Sequence, residues 1–181
     1  AGVFALLARP YLRERRGLVG LMMLWLAQNV ALCGSALLRL DLYVTAYGLT
    51  YMRVWAMIWM VLVAVGLVMI AWQVWSQRSG RWLTLRFALL GGVTLYACCF
   101  VNFAAIIAHQ NLTRGGEIDW YYVCGLPVTA RGAIDTELAA QPDLVNQSAH
   151  YFDRCRYSRP VIYDWRNWGF RKARVIRTIA A

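Results

Sequence analysis

The stretch VWAMIWMVLVAVGLVMIAWQVW, residues 54–75, holds no charged side chain and a single amide, Gln73. As a helix its 22 residues extend roughly 33 Å, enough to cross the hydrocarbon core of a bilayer. A helix on the surface of a soluble domain would carry a polar face, and this one has none. Two more uncharged runs flank it, Gly17 to Leu38 before and Phe87 to Ala108 after. The pattern predicts an all-α membrane protein with about three transmembrane helices, at about 17–38, 54–75 and 87–108. A basic arm at 1–16 precedes them, and a small, mainly helical polar tail at 109–181 follows.

Composition agrees. Of 181 residues, 60% are hydrophobic and 15% charged, where a soluble domain carries about a quarter charged. The net charge of +10 comes from 19 basic against 9 acidic residues, with Lys172 the only lysine. Basic loops beside membrane spans account for this excess, so nucleic acid is not expected as a partner. The expected partners are the lipid bilayer and other membrane protein subunits. The sequence does not begin with Met, as expected of a processed chain or the ordered part of something longer.

The linker at 39–53 is neither lipid-like nor an ordinary loop. Tyr43, Tyr47 and Tyr51 recur every four residues, along one face of a helix. Gly48 suits the left-handed position that ends a helix, with Leu49 against Val44 as in a Schellman ending, and Thr50 suits the N-cap of the next. The reading is a short interfacial helix, a sharp turn, then the second span, with the tyrosines as boundary anchors.

The tail carries 10 of the basic residues and 7 of the acids. Its glycines and prolines divide it into helices expected at about 117–124, 130–140 and 142–155. A last helix is expected to begin at the N-cap Asp164. It would place Trp165, Trp168, Val175, Ile176 and Ile179 on one face, with Arg166, Arg171, Arg174 and Arg177 mostly off it. Such a basic amphipathic helix suits a membrane surface or a partner.

Seven arginines (Arg9, Arg13, Arg15, Arg16, Arg78, Arg81 and Arg86) lie on the side shared by the N-terminal arm and the loop at 76–86. Three (Arg39, Arg53 and Arg114) lie on the other. The positive-inside rule puts the arm in the cytoplasm and the tail outside it, which for a bacterial inner membrane is the periplasm. Cys124 and Cys155 could then pair, while Cys33, Cys98 and Cys99 lie in apolar runs.

Polar groups within the spans are few. Asn29 in the first and Asn102 in the third are expected to join helices through their amides. Small-residue ladders (Ala27, Ala31 and Ser35; Ala88 and Gly92; Ala104 and Ala108) offer close helix packing. No nucleophile–base pair, phosphate loop or metal-ligand spacing is visible, so no catalytic or metal residue is assigned. The Arg39, Asp41 and Arg53 charges flank the interfacial helix, where a structural pair competes with a binding role. His109, closing the third span, is the weak candidate for cofactor contact. No cofactor is predicted, and a pigment or haem would come only through partner subunits. The residues expected to pack or interact are Asn29, Arg39, Asp41, Tyr43, Tyr47, Gly48, Arg53, Asn102, Trp165 and Trp168.

Arg39, Tyr43, Tyr47-Gly48-Leu49-Thr50 and Arg53 form an R-x-x-x-Y-x-x-x-Y-G-L-T-x-x-R segment. This resembles a segment of a family of bacterial multi-pass membrane proteins known as a domain of unknown function. Asn111-Leu112-Thr113-Arg114, Asp119 and Tyr122 are similar to that family's segment beyond its last span. The resemblance covers residues 30–125 and implies a longer protein with more spans ahead of this region. It carries over no activity, substrate or catalytic residue. The expected function is a non-catalytic accessory or structural subunit of a larger bacterial membrane complex, with a respiratory or photosynthetic one as a natural host. The alternative is a fragment of a transporter or membrane sensor with a binding site near the Tyr-rich linker.

Overall fold

The computed structural model describes residues 16–114, 116–148, 166 and 168–180. All regular structure among them is helical. Three helices are long and apolar enough to cross a membrane: α1 (Arg16–Tyr47), α2 (Tyr51–Ser76) and α3 (Gly80–Phe100). Shorter helices follow: α4 (Phe103–Thr113), α5 (Trp120–Cys124), a 3-10 turn (Val128–Ala130), α6 (Arg131–Ala140), α7 (Pro142–Ser148) and α8 (Phe170–Ala180).

The described residues divide into two compact units, one of those up to Tyr43 with Met52–Val101, the other of Val44–Tyr51 with those from Asn102 onward. The core of the first is Met22 and Leu26 of α1, Leu67, Ile70 and Val74 of α2, and Leu83 of α3. Gly66 permits close approach there, since a Cβ on it would lie 3.0 Å from the Phe87 ring. Buried Gln73 donates to the Ser79 carbonyl at 3.4 Å, tying α2 to the turn before α3. Ser79 caps α3 by accepting from the Trp82 amide. Beyond this core an open apolar groove of about 350 Å³ separates α2 from α3, between Trp59, Gly66, Phe87 and Gly91. Only 11%, 17% and 6% of the most apolar windows of α1, α2 and α3 are buried within the chain, so their surfaces suit a lipid solvent.

Several expected boundaries are corrected. The third span is 80–100, not 87–108. It starts earlier because Arg81 and Arg86 are carried on the first turns of the helix, Arg86 over the Trp82 ring. It ends earlier because Asn102 starts a new helix, accepting from the Ala105 amide. The absence of charge from 87 to 108 concealed this polar break. The separate interfacial helix is likewise absent: α1 runs unbroken through Tyr43 to Tyr47. At 32 residues it measures roughly 48 Å, well beyond a hydrocarbon core of about 30 Å. In the tail, α5 begins at Trp120 rather than 117, and α8 begins at Phe170 rather than at Asp164. Trp168 therefore precedes α8, while Trp165 lies outside the described residues.

In the second unit α4 packs on α6 and on the 3-10 turn. Ala104, Ile107, Ala108 and Leu112 form its buried face, and Ala130 of the turn and Ile134 of α6 are buried as well. The Ala104–Ala108 ladder thus serves the tail and not a span. Asn102 donates to the Thr129 carbonyl at 2.8 Å, fastening the start of α4 to the 3-10 turn.

Candidate functional site

Among the described residues, the densest set of specific polar contacts lies where α1 turns into α2. Gly48 has φ +83°, the left-handed conformation that ends helices, and its amide donates to the Val44 carbonyl at 2.9 Å. This is the simple left-handed ending and not the expected Schellman motif, because the Leu49 amide is taken elsewhere. It donates to Asn111 Oδ1 at 2.6 Å, and Asn111 Nδ2 donates back to the Leu49 carbonyl at 2.9 Å. One buried carboxamide so satisfies both polar groups of one residue's main chain. Any Cβ at position 48 would lie 2.8 Å from Asn111 Oδ1, so glycine is required by space as well as by φ.

Arg114 adds the charge. Its Nη1 donates to the Val44 and Thr45 carbonyls at 2.9 and 3.2 Å, and its Nη2 to the Glu117 carbonyl at 3.3 Å. The last turn of a helix leaves carbonyls without intrahelical donors, and its end carries partial negative charge. A guanidinium answers both. Across the turn, the Tyr51 amide, the first of α2, donates to the Tyr122 hydroxyl at 3.0 Å. Tyr122 is positioned by α5, whose N-cap Asp119 accepts from the Tyr122 amide at 3.0 Å. Tyr47, Gly48, Thr50, Arg114, Asp119 and Tyr122 are among the residues around a cavity of about 80 Å³.

The expected site residues fare differently. Tyr47 and Gly48 belong to this junction. Tyr43 is exposed on α1, and so are Arg39 and Asp41; Arg53 is half-buried in the first turn of α2. None of these four lines the cavity. Asn29 donates to the Trp25 carbonyl of its own helix at 2.7 Å, and so does not use its amide to reach a second span. Asn102 is bound to Thr129 outside the spans, so its amide does not join one span to another as expected. His109 does not close a span: it lies on α4 with Nδ1 2.7 Å from Glu137 of α6. Trp168 is exposed. Among the described residues no three His, Cys, Asp or Glu gather as for a metal ion.

Asn111, Arg114, Asp119 and Tyr122, which build the junction from the tail, carry no individual sequence signal, because each is an ordinary residue in isolation. The signal for them was the second family-like segment, which contains all four.

The DUF4153 family, a domain of unknown function, matches residues 1–137. No curated protein and no solved structure matches the chain.

Proposed function

The chain belongs to the DUF4153 family, and we propose that it acts as a non-catalytic structural subunit of a larger bacterial membrane complex. The observation that carries this reading is how the junction uses its polar groups. The Asn111 amide, the Arg114 guanidinium and the Tyr122 hydroxyl are each engaged by the main chain of the α1–α2 turn. Such a site holds a shape. The cavity beside it, about 80 Å³, is well below the roughly 300–1,000 Å³ typical of small-molecule sites. That magnitude favours the structural reading over a transporter or sensor pocket.

The spans support it as well. Ala27, Ala31 and Ser35 on α1 and Ala88 and Gly92 on α3 are exposed, so these ladders remain available to helices of other subunits. Trp25, Trp55, Trp59, Trp72 and Trp75 are exposed too, offering wide apolar surface to lipid or protein.

The tail is proposed to lie in the periplasm. Cys124 is disulfide-bonded, and disulfides persist in oxidising compartments. Cys155 lies outside the described residues. The arginine asymmetry across the spans points the same way.

Native purification in mild detergent with mass spectrometry tests the main proposal. Stable co-purification of other membrane subunits is expected, and recovery as a lone monomer from native membranes sinks it.

A further inference from the structure

Helix α8 is strongly amphipathic, and its sequence leaves open which side meets what. In the structure Ala173 is buried and Ile176 half-buried, and the helix packs against the 3-10 turn Val128–Ala130. That side is taken within the tail. The outward side presents Phe170, Arg174 and Arg177, at the four- and three-residue spacing of one helical face, with Trp168 just ahead. Trp168 is 57% and Phe170 60% exposed. The Arg174 guanidinium sits 4.9 Å from the centre of the Phe170 ring. From 165 to 181 the chain has five basic residues and no acid.

We propose that this outward face docks on anionic lipid headgroups. Exposed rings beside arginines match the two layers of a membrane interface: aromatic rings settle at headgroup depth, and guanidinium groups hold phosphate oxygens in a fork. Charge complementarity favours an anionic surface, since the segment itself carries five cations and no acid. The three spans tether the tail to a bilayer, so lipid is present at high effective concentration without a separate encounter. A soluble acidic partner would match the charge but would have no such tether. The inference stands whether or not the chain is a subunit of a complex.

The test uses the full chain in nanodiscs of phosphatidylcholine, with or without phosphatidylglycerol, and follows amide hydrogen exchange of residues 170–180 by mass spectrometry. Exchange is expected to be about tenfold slower in the anionic discs. At about 1 M salt, where the screening length falls to about 3 Å, the two lipids should give equal rates. Arg174→Gln with Arg177→Gln should bring the ratio between lipids close to one. Equal wild-type rates in the two lipids overturn the proposal. So does slowing that survives high salt or the double substitution, which would assign the face to a protein or purely apolar contact. The salt comparison needs no variant, so misfolding of the double substitution leaves the proposal falsifiable.

Discussion

Asn111 makes two hydrogen bonds to one residue 62 positions away, and both ends of the contact are buried. Truncation to alanine would strand the Leu49 amide and carbonyl together, at about 1–3 kcal/mol for each buried group left unpaired. Asn111→Ala is therefore expected to lower stability by about 2–6 kcal/mol, read as a lower thermal midpoint in mild detergent. Asn111→Asp keeps an acceptor for the Leu49 amide but loses the donor to its carbonyl, so it should rescue only part of the loss. Gly48→Ala tests the same place from the other side. A left-handed alanine costs about 1–2 kcal/mol, and its Cβ would press on Asn111 Oδ1. The two substitutions share a partner, so in combination they should destabilise by less than their sum. Additive losses would show that the turn and the amide are not one device.

Among the elements, the break between α3 and α4 is the informative one. Phe87 to Ala108 is continuous in hydropathy, yet Val101 is extended and Asn102 begins a second helix. Three interactions favour the break: the cap to Ala105, the bond to Thr129 and the burial of Ile107 and Ala108 on the tail. Asn102→Ala removes the first two and is expected to cost about 1–2 kcal/mol. Asn102→Ser retains a cap and should recover about half, as thermal unfolding would show. A neutral Asn102→Ala would mean that burial of α4 alone sets the break. Ser79→Ala, at the start of α3, isolates a cap with no second bond and should cost about 1 kcal/mol.

For the molecule as a whole, the tail carries a covalent tie, the disulfide at Cys124. Its described helices are short, 5 to 11 residues, below the roughly 12–15 at which isolated helices hold in water. The disulfide at Cys124 adds a constraint on the unfolded tail worth about 2–4 kcal/mol. Reductant is expected to lower the thermal midpoint of the wild type and to leave Cys124→Ser unchanged. Equal response of the two proteins would mean that the bond does not support the tail. The same bond reports sidedness. After reduction, peptide mass spectrometry should find Cys124 labelled by an impermeant thiol reagent from the periplasmic face. Labelling only after lysis would reverse the orientation proposed above.

The membrane class was legible in composition alone, because a bilayer selects on length and apolarity, which are properties of a run of residues. Residues 54–75 stay within a single helix for that reason. The left-handed Gly48 was legible too, because a glycine after a helical pattern has a local meaning. Helix ends were legible only where a local residue sets them. Tertiary structure alone decided that α1 continues to Tyr47, that Asn102 ends a span, and that Asn111, Arg114 and Tyr122 close on the α1–α2 turn. Each of those contacts joins residues dozens of positions apart, with Arg114 reaching Val44 and Tyr122 reaching Tyr51. Periodicity and hydropathy describe neighbours along the chain. A buried carboxamide or guanidinium is placed by main-chain groups that need a partner, and which groups those are is settled only when the chain has folded.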